Sequence, residues 1–163
     1  MSNLKIVILF VGPPGCGKGS TGEKICKKYN LIHISTGDML RAECSSGTEF
    51  GKRIKETIDA GNLVSDDIML KLIAAFIQRH VDINGYLFDG FPRTEIQAHG
   101  LADILKDHNL NVNKVFKFDV MKDMLIERAV GRLIHPASGR VYHAKNYPPK
   151  IANCDDVFAF LTY

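Results

Sequence analysis

The sequence predicts an α/β fold built on a central parallel sheet, and three observations support this prediction. An apolar, β-branched run occupies residues 5–11. A glycine-rich loop and a helix-forming stretch follow it, and further apolar runs then alternate with helical patterns. Because a strand that is apolar at every position must be covered on both faces, the first run is expected in the middle of the sheet. With 163 residues, the chain has room for one domain of this kind.

The first third of the chain predicts a βαβ unit followed by a small inserted lobe. After the strand at 5–11, KGSTGEKICKKYN has the pattern of a helix, and LIHI that of a short strand ending at Ser35. The stretch 35–64 is polar and helical, and glycines interrupt it repeatedly. We therefore expect 35–64 to form helices outside the main sheet.

The middle of the chain returns to the core. Ser65 is expected to cap a helix whose first turn carries Asp66 and Asp67. GYLFDGF has the pattern of a second buried strand, TEIQAHGLADILKDH that of an amphipathic helix, and NKVFKFDV that of a further strand. From Gly131 onward, short alternating segments with prolines and glycines predict a hairpin-rich lobe.

Composition and charge narrow the range of functions. Hydrophobic residues make up 45% of the chain and charged residues 24%, as in ordinary soluble globular proteins. The net charge of +3 is spread along the chain instead of forming a basic run, so no nucleic-acid partner is expected. The four cysteines form no CxxC pair, and no stretch approaches transmembrane length. Without a visible leader, the sequence predicts a cytoplasmic protein with no membrane partner, and an organelle is the alternative location.

The segment from Gly12 to Lys18 matches the phosphate-binding pattern GxxxxGK between a predicted strand and a predicted helix. Glycines let backbone N–H groups converge on phosphate oxygens, and the helix N-terminus adds partial positive charge. Gly19 stands where the pattern has Ser or Thr, so Ser20 is expected to supply the hydroxyl group one position later. The alternative is a glycine turn that only joins strand to helix.

Four segments, in order, resemble the adenylate kinases of the nucleoside monophosphate kinase family. They are GPPGCGKGS, STGDMLR, LFDGFPRT with Gln97, and GRLIHPASGRVYHAKNYPPK. The resemblance extends to about Asp156 and implies a P-loop three-layer α/β fold with a central parallel sheet in the order 2-3-1-4, an inserted AMP-binding lobe and a partial lid lobe. The implied boundaries are a core at 1–34 and 65–130, an AMP-binding lobe at 35–64 and a partial lid lobe at 131–163.

The resemblance also implies a reaction, the reversible transfer of the terminal phosphate of ATP to AMP, giving two ADP, by a monomer that uses Mg²⁺. The implied catalytic residues are Lys18, Arg93 and Arg132. The implied ATP-binding residues are Gly15, Cys16, Gly17, Lys18, Gly19, Ser20, Arg128 and Arg132. The implied AMP-binding residues are Thr36, Arg41, Leu63, Val64, Gly90, Arg93 and Gln97. Ser20 and Asp89 are the implied magnesium residues, with Asp89 acting through water.

Elementary chemistry agrees with these implied roles. The attacking oxygen of a monophosphate is already anionic, so phosphoryl transfer depends on positioning and charge neutralisation, for which arginine forks are suited. By resemblance, Thr36 and Gln97 face adenine, which favours AMP over UMP or CMP. Three of the implied site residues also have an explanation that involves no nucleotide. Arg128 would lie on a solvated helix face, Asp89 would cap a turn, and Gln97 would be an exposed helical residue.

Some members of the family carry a zinc site in the lid, and the matching positions here are His135, Ser138, Asp155 and Phe158. These residues make no closed four-ligand set, and Cys154 is one residue out of register. We therefore expect no zinc, and hydrogen bonds among these side chains instead.

Two other functions remain open from the sequence. The family pattern continues beyond DDV with two phosphate-binding arginines and a last core strand, whereas this sequence reads DDVFAFLTY. The first alternative is therefore a nucleotide-binding but catalytically weak, truncated form that lacks those lid arginines and that strand. The second is a P-loop protein that acts on another small phosphate acceptor.

Overall fold

The computed structural model describes residues 5–62, 64–81, 83–135, 140–151 and 154–156. The chain divides into two compact units, Met1–Gly12 with Gly17–Phe118, and Pro13–Cys16 with Asp119–Tyr163. The described elements of the first unit are β1 (Ile6–Val11), α1 (Lys18–Tyr29), β2 (Ile32–Ser35), α2 (Thr36–Ser45), α3 (Glu49–Asp59), α4 (Asp66–Arg79), β3 (Gly85–Asp89), α5 (Glu95–Asp107) and β4 (Lys114–Lys117).

The sheet of the first unit is parallel, with its strands in the order β2-β3-β1-β4. Strand β1 lies inside the sheet, where Ile8 is opposite Leu87 of β3 on one side and Lys114 of β4 on the other. The predicted strand order and the central position of the first apolar run are confirmed.

Alternation along β1 divides its side chains between two helical layers. Val7 and Leu9 join a buried cluster with residues of α4 and α5. Ile8 and Phe10 point the other way and pack with Cys26 of α1. Because burying one such side chain contributes roughly 1.5–3 kcal/mol, a strand that is apolar throughout is stabilised only when both faces are covered.

Hydroxyl side chains begin most of the helices in this unit. Ser65 caps α4 by accepting a hydrogen bond from the Ile68 N–H, as predicted. The same arrangement occurs at α2, α3 and α5, where the capping residues are Ser35, Thr48 and Thr94. These caps satisfy amide groups that have no acceptor within the helix itself.

Residues of the predicted inserted lobe form the two helices α2 and α3. They approach closely at Gly51, where an added Cβ would lie 2.1 Å from the carbonyl oxygen of Glu43. Only glycine allows this backbone contact.

The described elements of the second unit are α6 (Lys122–Val130), β5 (Arg132–Ile134) and β6 (Val141–His143). The two strands are antiparallel, with Leu133 opposite Tyr142, which agrees with the hairpin predicted after Gly131. Along the described chain, no helix is long and apolar enough to cross a membrane.

Candidate nucleotide site

In the first unit, the glycine loop leads into α1 through Gly17, which has a left-handed backbone with φ of 95°. Among the described residues, no side chain caps this end of α1. The Nζ of Lys18 donates a hydrogen bond to the Gly12 carbonyl at 2.8 Å. A helix start without a side-chain cap attracts anions.

Gly15 and Cys16 of the same loop belong to the second unit, which also contains α6. Gly15 also has a positive φ, of 80°, and its carbonyl accepts a hydrogen bond from Nη1 of Arg128 at 3.2 Å. Arg132 lies at the start of β5, and its buried Nε has no hydrogen-bond partner among the described residues. A buried guanidinium N–H without a partner is costly unless an anion satisfies it, so Arg132 is suited to bind phosphate.

Four predicted AMP-binding residues come together after the carboxyl ends of β2 and β3. Thr36 Oγ1 and Arg93 Nε both donate to the carbonyl of Gly90, at 3.4 and 2.7 Å. The Arg93 N–H donates to Oε1 of Gln97 at 2.8 Å. Thr36 and Gln97 are buried, so the simple reading of Gln97 as an exposed helical residue is wrong.

Position 90 favours glycine over any residue with a side chain. Its φ is 74°, and an added Cβ would lie 3.3 Å from Nη2 of Arg93. Ligands of open α/β sheets collect at this edge of the strands, so the glycine keeps room for Arg93 at a position suited to binding.

Arg41 lies in the second turn of α2 and forms an ion pair with Asp38. Burial raises the pKa of Asp38, but hydrogen bonds with Ser35 and Arg41 outweigh it and hold the pKa below its usual value. The carboxylate therefore stays charged and orients an otherwise exposed guanidinium.

Two further AMP-binding residues were predicted, Leu63 and Val64. Val64 packs against the core, and Leu63 lies outside the described residues.

Asp89 ends β3, and its Oδ2 lies 3.7 Å from the place that a Cβ on Gly19 would occupy. The carboxylate therefore adjoins the first turn of α1, which also carries Ser20. His33 Nε2 lies 3.5 Å from the same oxygen and has no hydrogen-bond partner among the described residues. A carboxylate beside a hydroxyl-bearing helix turn suits Mg²⁺, which prefers hard oxygen ligands and keeps several waters.

Two of the residues that match the zinc pattern are described, and both are buried: His135 and Asp155. Asp155 accepts two hydrogen bonds from Arg140, at 2.8 and 2.6 Å, and one from the Tyr142 hydroxyl at 2.7 Å. Ser138 and Phe158 lie outside the described residues. Within the described ranges, no group of three or more His, Cys, Asp or Glu could hold a metal ion.

Two residues next to the predicted site have no local sequence signal. His33 reaches Asp89 from the neighbouring strand, and Asp66 accepts a hydrogen bond from Nε2 of Gln97 at 2.7 Å. Asp66 is apparent from the sequence only as a first-turn acid of α4, because its partner is 31 positions away.

The glycine loop between strand and helix, with Arg93 and Gln97 placed after a parallel strand, defines a P-loop nucleotide phosphotransferase. The adenylate kinase family model matches residues 10–158. Adenylate kinases of Francisella tularensis subsp. novicida (strain U112) and subsp. holarctica (strain OSU18) are each 46% identical over 150 residues, 92% of this chain and 67% of the relative. The chain belongs to the adenylate kinase family. This confirms the predicted fold class and the predicted enzyme class, ATP:AMP phosphotransferase.

Proposed function

We propose that this chain transfers the terminal phosphate of ATP to AMP with the residues that match the family's motifs, and that it binds the acceptor through the cluster around Gly90. The hydrogen-bonded convergence of Thr36, Arg93 and Gln97 on that loop is the main support for this proposal. These residues combine a cation for phosphate with amide and hydroxyl groups for a base. No finding favours the catalytically weak alternative over this reaction.

On the acceptor side, Arg93 has its Nε fixed by the Gly90 carbonyl, which leaves the two Nη groups to grip the phosphate of AMP. Arg41 supplies a second cation, held by Asp38. Gln97 and Thr36 face the adenine. The anionic phosphate oxygen needs no base, so these groups act by holding it in line with the donor.

On the donor side, amide groups of the glycine loop and the start of α1 bind the ATP phosphates, with Lys18 adding charge. The hydrogen bond from Lys18 to Gly12 shows that the ammonium reaches back over the start of the loop. By the family's motif, Arg132 has the role of neutralising the transferring phosphoryl group, and Arg128 that of contacting the donor base.

Magnesium is the implied cofactor, and Ser20 together with Asp89, through water, would hold it. When bound, the ion neutralises phosphate charge as the phosphoryl group moves.

The same proposal includes the AMP-binding lobe at 35–64, the partial lid lobe at 131–163, a monomeric state and a cytoplasmic location. Light scattering coupled to size-exclusion chromatography tests the monomeric state, and cell fractionation tests the cytoplasmic location.

The decisive experiment is Lys18→Met, assayed by ATP titration calorimetry and by coupled turnover of ATP plus AMP. We expect turnover to fall by about a hundredfold or more, because a charge that stabilises the transition state is lost. Lys24→Met removes an exposed charge from the same helix and should leave both measurements unchanged. Unchanged ATP affinity and turnover in the Lys18→Met protein would overturn the proposal.

A further inference from the structure

The carboxylate of Asp66 is hydrogen-bonded to two residues at the start of α5. Its Oδ1 accepts from Nε2 of Gln97 at 2.7 Å, and its Oδ2 accepts from the Thr94 hydroxyl at 2.9 Å. Thr94 is itself fixed, because its Oγ1 caps α5 by accepting from the Gln97 N–H at 3.1 Å. The position of the carboxylate is thus set by the helix it contacts.

The other end of the Gln97 amide is also engaged, since Oε1 accepts the Arg93 N–H at 2.8 Å. An ionised carboxylate can only accept, and a backbone N–H can only donate. Exchanging the two ends of the amide would place Oε1 against the Asp66 oxygen and Nε2 against the Arg93 N–H. Both hydrogen bonds would become repulsive contacts, so only one orientation of the amide is stable.

Among the described residues, these bonds leave Gln97 one N–H on Nε2 and one lone pair on Oε1. Adenine presents an amino donor beside a ring-nitrogen acceptor, which such an amide can bind with two hydrogen bonds. A 6-oxopurine presents the reverse, an oxygen acceptor beside a ring N–H donor. An amide with fixed orientation that matches one pattern opposes the other.

We propose that Asp66 is a specificity-determining positioning residue: its carboxylate fixes the Gln97 amide in the orientation that pairs with adenine and so excludes 6-oxopurine monophosphates. The inference rests on the proposed contact between Gln97 and the acceptor base. Asp66 itself contacts no substrate in this proposal and affects the choice of base only through Gln97.

The test measures kcat and KM for AMP and for inosine monophosphate, with ATP saturating, in the wild-type protein and in Asp66→Asn. An asparagine can turn its own N–H toward Gln97, so the repulsion at position 66 that opposes the exchanged orientation is lost, and only the Arg93 N–H still opposes it. We expect the ratio of kcat/KM for AMP to that for inosine monophosphate to fall about tenfold or more, mostly through KM, since a bidentate base contact contributes a factor of this order.

Two further variants make the result specific. Asp67→Asn removes the neighbouring exposed carboxylate, which pairs with Lys71, and should leave the ratio unchanged. Asp66→Glu keeps an acceptor and should retain more of the wild-type ratio than Asp66→Asn. If Asp66→Asn lowers kcat/KM for both substrates equally, or if Asp66→Glu relaxes the ratio as much as Asp66→Asn, Asp66 has only a structural role and the inference fails.

A Gln97→Ala variant separates this inference from the proposed function. If its KM for AMP is unchanged, the contact between Gln97 and adenine is wrong, and the role of Asp66 is wrong with it. If its KM for AMP rises while Asp66→Asn leaves the ratio at the wild-type value, the acceptor site stands and the inference alone is overturned.

Discussion

Asn113 binds Val7 twice. Its backbone N–H donates to the Val7 carbonyl at 2.9 Å, and its side-chain Oδ1 accepts the Val7 N–H at 2.6 Å. The regular pairing of β1 with β4 starts one residue later, where Ile8 lies opposite Lys114. The Asn113 side chain therefore takes the place of a strand residue and satisfies an amide of the fully buried Val7.

We expect Asn113→Leu to lower the free energy of unfolding by about 1–3 kcal/mol, because it leaves the Val7 N–H without an acceptor. Urea unfolding followed by circular dichroism measures this change. Asn113→Asp keeps an oxygen at the same place and should be less destabilised than Asn113→Leu. Equal stability of Asn113→Leu and the wild-type protein would show that this hydrogen bond contributes nothing.

The order of the main elements could be predicted because their signals are local. The apolar run around Val7 to Phe10 marks a strand covered on both faces, and Ser65 followed by Asp66 marks the start of a helix. The glycine loop could be assigned because a strand precedes it and a helix follows it. Each of these signals lies within a few residues of the structure it specifies.

Helix α6 has no comparable signal. None of its residues is buried, and among the residues that the structure describes no side chain caps its first turn. The sequence also gives no signal for the hydrogen-bond partners of Gln97, because its contact with Asp66 joins residues 31 positions apart. Such contacts depend on how α4 packs beside α5, which residue spacing within either helix does not determine. Sequence patterns could therefore propose the acceptor residues, whereas their hydrogen-bond partners required the structure.

The close approach of α2 and α3 makes Gly51→Ala a sensitive substitution. The added methyl carbon would overlap the Glu43 carbonyl, and because that oxygen belongs to the backbone, a helix must shift. We expect a loss of about 1–3 kcal/mol in the free energy of unfolding and weaker AMP binding, measured by urea unfolding and calorimetry. Lys55→Ala, at an exposed position on α3, should change neither. A Gly51→Ala protein with wild-type stability would contradict the observed closeness.

Cys26 gives the protein a dependence on alkaline pH. Burial raises the pKa of this thiol from 9.0 to about 11. Between these values the unfolded chain loses the proton while the folded chain keeps it, so stability falls as pH rises from about 9 to about 11. The wild-type protein should lose up to about 2 kcal/mol more than Cys26→Ala across this range.

Urea unfolding of both proteins at pH 8 and at the upper end of that range measures the difference. Other groups that titrate there, such as Tyr86, whose burial also raises its pKa, are present in both proteins and cancel. Identical losses in the two proteins would mean that Cys26 ionises as readily in the folded chain as in the unfolded one.

Asp155 is buried and accepts hydrogen bonds from Arg140 and Tyr142 in the second unit, so its charge should matter more than that of an exposed acid. The Asp156 N–H lowers the pKa of Tyr142, but the hydrogen bond to Asp155, burial and nearby negative charge together raise it above the usual value. Asp155→Asn should therefore move the Tyr142 titration to lower pH, and it should speed hydrogen exchange in β5 and β6 by about tenfold, because a paired charge is lost.

Ultraviolet titration and exchange measured by mass spectrometry test these two effects separately. Glu127→Gln is the matched control, since Glu127 pairs with Lys145 at 2.9 Å on the exposed surface of the same unit. Ion pairs in that setting contribute little to stability, so neither measurement should change. If Glu127→Gln loosened the hairpin as much as Asp155→Asn, general surface charge would explain the effect. A change confined to Asp155→Asn would identify the buried carboxylate as the group that orders these strands.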